Sequence, residues 1–392
     1  MDYQHLKPKH HNLQHLPIVA LVSCGAMLAQ LFLTAAALLA VASAQNQDQQ
    51  GQNQQGGSEQ LTFFFYGDWG HNVPANVSES GIAFEEVKVA NAVAQKAAEV
   101  HPSFFVMLGD NFYESGVTSI NDPLWQAYYE NIYSAASTQV PWYLILGNHD
   151  YYGGHTPLAQ VEYTTSSLNS NTRWRLPDNF YTKVFQVPNS DKTLQIFFVD
   201  TVILAPNAEN PAKTGLPPAN PDGSTSDVQM LLLKPYLNLL EQQLQASTAE
   251  YKIVAGHYHV YTVTDGDNDT PELERFLVPL MQQYGVQAYM NGHEHNTEHF
   301  FLNGIHYITV GHGCDKDDPI AAQPWTDKVG ALTGYIVGPN DEGVRFAQDI
   351  GSFGVMEVTD ASMSFYIVDE NLNRIYNATI ATPGTTRRNL RG

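Results

Sequence analysis

VMLGDNFYESG, the stretch Val106–Gly116, ends an apolar run and at once presents a carboxylate, a carboxamide and a phenol. The run itself covers Phe104–Leu108, and the polar groups belong to Asp110, Asn111 and Tyr113. Apolar runs without alternation are typical of strands that are buried on both faces. The stretch therefore predicts a buried strand with polar side chains directly beyond its carboxyl end.

The same pattern recurs along the chain and decides the fold class. Short runs rich in aromatic and β-branched residues each end at a polar loop, and helical patterns cover Ile82–Val100, Val228–Gln245 and Pro271–Tyr284. Pro235 falls inside the second helical pattern, as a kink or a start. Strands that alternate with helices predict an α/β layer fold, and Phe353–Val368 adds a hairpin that suits a second sheet. The predicted strands start near Leu61, Ser103, Pro141, Leu194, Tyr251, Val286 and Ile305.

Side chains that bind metals follow five of these strands. Ligands of α/β sheets bind beyond the carboxyl ends of strands, and glycines there allow the backbone to crowd together. Three imidazoles, two carboxylates, a carboxamide and a phenol are too many donors for one ion and suit two. A tyrosinate favours Fe(III) over Zn(II) or Mg(II), because hard anionic ligands match hard ions. The donors are Asp68, Asp110, Tyr113, Asn148, His257, His293 and His295, with His149 and Asp150 beside Asn148.

Five blocks around these donors resemble those of the purple acid phosphatases, which belong to the calcineurin-like metallophosphoesterases. The segments next to the blocks resemble the small, single-domain tartrate-resistant type, and the resemblance extends from about Leu61 to the final hairpin. It implies a four-layer α/β/β/α sandwich, in which two mixed sheets are flanked by helices. The blocks are Gly67-Asp68-x-Gly70, Gly109-Asp110-x-x-Tyr113, Gly147-Asn148-His149-Asp150, Val254-x-x-His257 and Gly292-His293-x-His295.

The resemblance also implies a reaction and the ligands of each metal. The expected protein is a monomeric acid phosphatase that acts on small phosphate monoesters or phosphoproteins. Metal-activated hydroxide would attack the phosphate, and His149 would contact the phosphate or protonate the leaving oxygen. Fe(III) would be bound by Asp68, Asp110, Tyr113 and His295, and a divalent iron, zinc or manganese ion by Asp110, Asn148, His257 and His293.

The chain departs from the family pattern at several positions. His259 stands where the mammalian-type proteins have proline, and Asp265-Gly266 lacks the histidine that follows an acid in the small members. Cys314 is the only cysteine beyond the first 44 residues, so the family's disulfide cannot form within a processed chain. The loop Ala205–Ser226 resembles in position the family's protease-sensitive loop.

Two other functions stay open at this point. A phosphodiesterase or protein phosphatase of the wider superfamily would use similar metals, and a non-catalytic surface binding protein could keep the same fold. Binding to nucleic acid is disfavoured by a net charge of −21, from 19 Lys and Arg against 40 Asp and Glu. No basic run is present that would neutralise the phosphates of such a partner.

The N-terminal segment of the chain predicts export. Residues 1–44 form a predicted signal peptide, cleaved before Gln45, or the signal anchor of a type II membrane protein. Residues 45–60 are a Gln/Asn-rich linker, residues 61–380 the catalytic domain and residues 381–392 a basic tail. The catalytic domain would be secreted or lumenal, attached to a membrane only through that anchor. Sequons for N-glycosylation occur at Asn76, Asn268 and Asn377.

Overall fold

The computed structural model describes residues 59–71, 85–154, 157–264, 270–314, 320 and 343–381. The predicted signal segment, nearly all of the linker and the tail beyond residue 381 lie outside these ranges. So do the sequons at Asn76 and Asn268 and the pair Asp265-Gly266. Across the ranges that are described, no helix combines the length and the apolar character needed to span a bilayer.

The described residues form fourteen strands. In chain order they are β1 (Leu61–Tyr66), β2 (Phe104–Met107), β3 (Trp142–Leu144), β4 (Trp174–Arg175), β5 (Phe180–Gln186), β6 (Thr193–Val199), β7 (Tyr251–Ala255), β8 (Ala288–Asn291), β9 (Thr297–Leu302), β10 (Ile305–Val310), β11 (Gly343–Gln348), β12 (Ser352–Val358), β13 (Met363–Asp369) and β14 (Arg374–Ala381).

These strands build two mixed sheets of seven. Sheet one has the order β14-β13-β12-β1-β2-β3-β4, and sheet two has the order β11-β9-β10-β8-β7-β6-β5. In sheet one, β1 to β4 are parallel, while β12, β13 and β14 are joined by antiparallel pairing. In sheet two, β6, β7, β8 and β10 are parallel, and β5, β9 and β11 pair antiparallel. Two mixed sheets with flanking helices confirm the predicted fold class.

Helices and turns connect many of the strands. The α-helices are α1 (Glu85–Val100), α2 (Leu158–Tyr163), α3 (Thr201–Leu204), α4 (Pro211–Thr214), α5 (Asp227–Ala246), α6 (Pro271–Phe276) and α7 (Val278–Gln283). A π-helical turn covers Trp125–Glu130, and 3₁₀ turns cover Ala136–Thr138, His149–Gly154 and Ser170–Thr172.

The strands predicted to be buried on both faces are buried. Every residue of β1, β2 and β10 is buried. Phe63 of β1 stacks on Phe104 of β2 with ring centroids 4.8 Å apart, and Phe64 stacks on Phe105 at 5.3 Å. These aromatic pairs between neighbouring strands add attraction beyond the burial of apolar area.

Helix α5 begins at Asp227, eight residues before Pro235. Ser226 is its N-cap, with the Ser226 hydroxyl accepting a hydrogen bond from the Gln229 backbone N–H at 3.3 Å. The Gln229 side chain in turn accepts from the Ser226 backbone N–H at 2.9 Å, which completes a capping box. Pro235 therefore lies inside the helix and does not start it.

The pattern that predicted one helix over Pro271–Tyr284 forms two helices, α6 and α7, which meet at Leu277. Pro279 lies in the first turn of α7. Proline has no N–H, and its ring clashes with the carbonyl four residues earlier, so α6 cannot continue through this point. Gly285 follows α7 with a φ of 67°, the left-handed conformation that a C-cap glycine adopts.

The carboxyl ends of the parallel strands of both sheets meet at one place. The Gly67 N–H, just beyond β1, donates to the carbonyl of Val310 at the end of β10, at 2.8 Å. The His257 ring, beyond β7, contacts the carbonyl of Leu108, beyond β2, also at 2.8 Å. The loops of sheet one and sheet two therefore contribute side chains to a common cluster.

Candidate metal centre

Three of the predicted donors have a left-handed backbone. The φ angle is 57° at Asp68, 47° at Asp110 and 75° at His293. A non-glycine residue pays about 1–2 kcal/mol for this conformation, so the surrounding structure must impose it. Such strain concentrates at functional sites. The turns after β1, β2 and β8 are thus strained at the place where the donors converge.

Gly109 and Gly292 leave room where the donors crowd together. Gly109 has a φ of 90°, and a Cβ added there would overlap the ring of His257. A Cβ added at Gly292 would overlap Oδ2 of Asp68. Any larger residue at either position would therefore displace a donor, which is the physical reason for a glycine before Asp110 and before His293.

The first half of the cluster gathers around the hydroxyl of Tyr113. This oxygen lies 3.1 Å from Asp68 Oδ1 and 3.1 Å from Asp110 Oδ2. It lies 3.0 Å from His295 Nε2, which is itself 3.6 Å from Asp68 Oδ1. The structure therefore brings together the four residues that the family resemblance assigns to Fe(III).

The second half gathers around the carboxamide of Asn148. Its Oδ1 lies 2.9 Å from His257 Nε2 and 3.1 Å from His293 Nδ1. His257 Nε2 lies 3.4 Å from Asp110 Oδ2, the same oxygen that faces Tyr113. The four residues assigned to the divalent ion are thus also together, and one carboxylate oxygen of Asp110 faces both halves.

Backbone groups orient these donors. Asp68 Oδ2 accepts a hydrogen bond from the His293 N–H, and Asp110 Oδ1 accepts one from the His149 N–H, both at 2.9 Å. Each carboxylate is therefore held by one oxygen and presents the other to the cluster. Nδ1 of His257 donates to the Leu108 carbonyl, which leaves Nε2 as the nitrogen that can bind a metal.

Burial and charge set the protonation of the two carboxylates. Burial raises the pKa of Asp68 above its ordinary value, although the charges of His257 and His295 oppose this shift. Burial acts on Asp110 in the same direction, but the positive charges of His257 and His149 outweigh it and hold the pKa of Asp110 well below its ordinary range. The charge of the imidazoles therefore decides which carboxylate is more readily ionised.

The phenol and the imidazoles are shifted as well. Burial, together with the charges of Asp110 and Asp68, raises the pKa of Tyr113 well above its usual value. Burial lowers the pKa of His257, but the same two carboxylates outweigh it and raise that pKa to about 9. Burial and the charge of His257 lower the pKa of His293 to about 3.

The donor set fits two metal ions. Asp68, Asp110 and Asn148 supply oxygen, and Tyr113 lies beside the two carboxylates, where it can ionise only if further positive charge is present. Structural zinc sites use sulfur and nitrogen ligands in a closed tetrahedron, and none of these donors is a cysteine. Hard oxygen donors around a shared carboxylate instead suit hard ions in a two-metal site.

His149 lies at the edge of the cluster. Its Nδ1 donates to the Glu114 carbonyl at 2.8 Å, so Nε2 is the nitrogen that can act on a ligand. Its ring packs between those of Tyr113 and Tyr152, with centroids 4.4 Å away on each side. The His149 side chain is 21% exposed, which makes it accessible to a substrate while its position is fixed.

Asp150 does not face the other donors. Its carboxylate accepts hydrogen bonds from the Gly147 N–H at 2.9 Å, from the Asn111 N–H at 3.1 Å and from the Gln160 side chain at 2.7 Å. These bonds join the loops after β2 and β3. Asp150 therefore shapes the turn that presents Asn148 and His149.

Glu294 was not identified from the sequence, although it lies between two predicted ligands. Its Oε1 is 2.7 Å from Nδ1 of His259, and the His259 ring stacks on His293 with centroids 5.7 Å apart. His259 lies in the loop after β7 and is buried there, where it packs around His293. The Gly292-His293-x-His295 spacing was the signal in the sequence that could have identified Glu294. Where His293 and His295 both point into the cluster, the residue between them must point away from it.

Three other features noted in the sequence lie outside the set of donors: the cysteine, a glycosylation sequon and the loop before α5. Cys314 is buried, as expected for a packed thiol. Asn377 is exposed on the edge strand β14. The loop Ala205–Ser226 contains α4, which packs against the 3₁₀ turn His149–Gly154. Part of this loop therefore lies beside the cluster.

The sequence is similar to those of known phosphatases. Residues 61–297 match the calcineurin-like phosphoesterase family. Tartrate-resistant acid phosphatase type 5 of Homo sapiens is 35% identical over 262 residues, which are 66% of this chain and 74% of the human protein. The Rattus norvegicus protein of the same name is 30% identical over 327 residues, 82% of this chain and 90% of the rat protein. Purple acid phosphatase 4 of Arabidopsis thaliana is 30% identical over 324 residues, 81% of this chain and 82% of that protein.

Solved structures share the fold. GAP50, the anchor in the inner membrane complex of Plasmodium, superposes with a TM-score of 0.62 and 22% identity, over 83% of this chain and 90% of that one. A purple acid phosphatase from yellow lupin seeds superposes with a TM-score of 0.54 and 14% identity, over 84% of this chain and 55% of that one. At these identities the two structures bear on the fold alone.

Proposed function

Because the chain belongs to the calcineurin-like phosphoesterase family and is an acid phosphatase of the purple, tartrate-resistant group, we propose that it hydrolyses phosphate monoesters at a centre of one Fe(III) and one divalent ion. The observation that carries this proposal is the position of Asp110 Oδ2. This oxygen faces Tyr113 at 3.1 Å and His257 at 3.4 Å, between two sets of donors of different chemistry.

The two halves of the cluster suit different ions. The half that contains the Tyr113 phenol would hold Fe(III), because a tyrosinate is a hard anionic ligand. The half that contains the Asn148 carboxamide and two imidazoles carries less negative charge and would hold divalent iron, zinc or manganese. The proposed ligands of Fe(III) are Asp68, Asp110, Tyr113 and His295, and those of the divalent ion are Asp110, Asn148, His257 and His293.

The residues of the chain divide the remaining work. When bound, the metals would supply Lewis acidity, which polarises a phosphoryl oxygen and makes water a nucleophile at acidic pH. His149 is proposed to contact the phosphate or to give a proton to the leaving oxygen, since Nε2 is its available nitrogen. The buried carboxylates stay oriented by their bonds to the His293 and His149 N–H groups. This arrangement needs little reorganisation during the reaction.

The setting of the reaction is also a proposal. The first 44 residues predict export, so the enzyme would act in the secretory pathway or outside the cell, where acidic pH occurs. Asn377 is exposed in a sequon and could carry a glycan. Suitable substrates are small phosphate monoesters or phosphoproteins.

Hydrolysis of p-nitrophenyl phosphate, measured against pH with and without tartrate, tests the proposal. Activity is expected at acidic pH, insensitive to tartrate, and lost in His293→Ala, because a ligand of the divalent ion is removed. His101→Asn, an exposed histidine outside the cluster, is the control that should keep full activity. An inactive wild-type protein with both metals bound would contradict the proposal.

The same samples separate the remaining alternatives. A phosphodiesterase would hydrolyse bis-p-nitrophenyl phosphate faster than the monoester. The iron assignment predicts a visible absorption band from charge transfer between tyrosinate and Fe(III). That band should be absent in Tyr113→Phe, and a colourless iron-loaded wild-type protein would exclude Tyr113 as an iron ligand. A non-catalytic binding protein would hydrolyse neither ester. The complete donor set argues against this alternative, because binding alone does not require it.

A further inference from the structure

The carboxamide of Asn148 has two ends with opposite chemistry, and only one of them can bind a metal. Its oxygen accepts and can coordinate a cation, whereas its NH₂ group only donates. In the structure, Oδ1 faces His257 Nε2 at 2.9 Å and His293 Nδ1 at 3.1 Å. Nδ2 points the other way and donates to Tyr152 Oη at 2.8 Å. Rotation of the amide by half a turn would place donors against the cation.

Tyr152 can accept this bond because a phenol oxygen has lone pairs in addition to its one hydrogen. Glu209, from the loop Ala205–Ser226, lies on the other side of the phenol, since Lys213 is 3.7 Å from the Glu209 carboxylate and 5.0 Å from the centre of the Tyr152 ring. Burial and the charge of Glu209 both raise the pKa of Tyr152 above its ordinary value. A phenol proton that turns toward Glu209 leaves the lone pairs of Tyr152 for a donor, and Asn148 provides one only when its NH₂ group faces Tyr152.

We propose that Tyr152 is a positioning residue that holds the Asn148 oxygen toward the divalent ion, and that Glu209 sets the direction of the hydrogen bond between them. The proposal rests on the function proposed above, because it assumes a divalent ion bound by Asn148. Groups that orient metal ligands through hydrogen bonds typically contribute a factor of about 10–100 to metal affinity.

Packing of the loop supports the role of Glu209. Lys213 Nζ lies 3.7 Å from Glu209 Oε2 and 5.0 Å from the centre of the Tyr152 ring. Lys213 belongs to α4, which packs against the turn that carries Asn148's neighbour His149 and Tyr152. The lysine therefore holds the Glu209 carboxylate near the phenol. The loop thereby reaches the metal ligand without touching the metal.

Measurement of Zn(II) binding to iron-loaded protein by equilibrium dialysis with elemental analysis tests the proposal. Tyr152→Phe keeps the ring but removes the acceptor, and it should weaken Zn(II) binding by about 10–100-fold. The tyrosinate-to-iron band should persist, because Tyr113 lies in the other half. Tyr151→Phe is the matched control: its hydroxyl is also buried, but it donates to Asp200, which is not a proposed ligand. It should bind Zn(II) like the wild type.

Glu209→Ala provides a second test at a residue that is partly exposed and outside the core. Without the carboxylate, the Tyr152 proton is free to point at Asn148, and the amide loses its preferred direction. Zn(II) affinity should fall, by less than in Tyr152→Phe. Wild-type affinity in both variants, or an equal loss in Tyr151→Phe, would overturn the proposal. A wild-type chain that takes up only one ion would contradict the proposed function itself and this inference with it.

Discussion

Asp110 divides its two carboxylate oxygens between the backbone and the cluster. Oδ1 accepts the His149 N–H, and Oδ2 faces both Tyr113 and His257. Its own backbone is left-handed, with a φ of 47°. One residue therefore connects the two halves of the centre, fixes the neighbouring catalytic candidate and carries part of the strain. An amide or a longer acid at this position could not perform all three tasks.

Removal of the His149 side chain should separate catalysis from metal binding. In His149→Ala the backbone N–H that Asp110 accepts is retained, so metal content should stay at the wild-type level. The rate on alkyl phosphates should fall by about 100-fold, the usual order for loss of a general acid. Steady-state kinetics with alkyl and p-nitrophenyl esters checks this expectation. The loss should be smaller for p-nitrophenol, which leaves without a proton; an equal loss would indicate a role in binding the phosphate.

Gly109→Ala should damage the centre more than an alanine at another left-handed glycine. Its Cβ would overlap the His257 ring, whereas a Cβ at Gly285, with a φ of 67°, meets nothing within 4 Å. Gly285→Ala should therefore cost only the backbone strain, about 1–2 kcal/mol in the free energy of unfolding. Gly109→Ala should cost more than this and lose bound metal. Denaturant unfolding and elemental analysis of both variants measure the difference, and equal effects would show that His257 yields without cost.

The candidate donors are visible in the sequence from their residue chemistry, whereas the residues that support them are not. Asp68, His257 and the other ligand candidates follow strands in a fixed order, and their side chains have few other reasons to occur together. Tyr152 and Glu209 carry no such signal, because they are 57 residues apart and come near each other only through the packing of a loop. A tyrosine among the 21 in the chain is not distinguishable by composition.

At the scale of elements, apolar runs predicted most of the strands, and helical patterns predicted the longer helices. The strand runs are buried as expected, and the hairpin Phe353–Val368 pairs antiparallel as β12 and β13. The prediction of one helix over Pro271–Tyr284 was wrong in one respect, since two helices form there and meet at Leu277, next to Pro279 in the first turn of the second. Strands β4, β5, β9, β11 and β14 were not predicted. Short or alternating strands lack a continuous apolar run, and they become strands only by pairing with a neighbour.

Loss of the α5 capping box should destabilise the protein modestly. In Ser226→Ala the hydroxyl that accepts the Gln229 N–H is removed, and this should cost about 1 kcal/mol in the free energy of unfolding. Ser226→Thr keeps the hydroxyl and should stay close to the wild type. Urea unfolding followed by circular dichroism compares the two variants. A threonine variant as unstable as the alanine variant would assign the loss to packing of the buried Ser226 side chain.

At the scale of the molecule, a chain of hydrogen bonds joins the two sheets away from the centre. His299 of β9 lies 2.8 Å from Tyr376 Oη of β14 through Nδ1 and 3.0 Å from His306 Nδ1 of β10 through Nε2. Phe365 of β13 packs edge-on against the His299 ring, and Arg345 of β11 adds positive charge. Both imidazoles therefore lie where a further positive charge is unfavourable.

This histidine pair should make the folded state sensitive to acid. Burial and the charge of Arg345 lower the pKa of His306 to about 4, and burial also lowers the pKa of His299, so the unfolded chain binds these protons more readily. Stability is then complete above pH of about 6.5 and declines as pH falls toward 4. His306 alone should account for roughly 3 kcal/mol, since each pKa unit corresponds to about 1.4 kcal/mol. Urea unfolding at several pH values, compared with His306→Asn, tests this; an unchanged pH dependence in the variant would exclude the pair.

The pairing of distant strands was beyond prediction from local patterns. The hairpin suggested a second sheet, but β12 and β13 extend the sheet that contains β1. Nothing near Leu61 indicates that its partner is Val358. Such a choice depends on which exposed edges remain once the helices have covered the faces of the sheets, and this is a property of the whole chain.

The position of β1 has a consequence for the order in which the protein can be made. All strands of sheet two, β5 to β11, leave the ribosome before β12, the partner of β1. A nascent chain must therefore keep one edge of a strand that is entirely buried in the folded protein unpaired until synthesis is almost finished. The turns that present Asp68 and Asp110 gain their full support only then. Translation that stops short of Ser352 would release a chain with a complete second sheet, an open edge on the first and no finished catalytic centre.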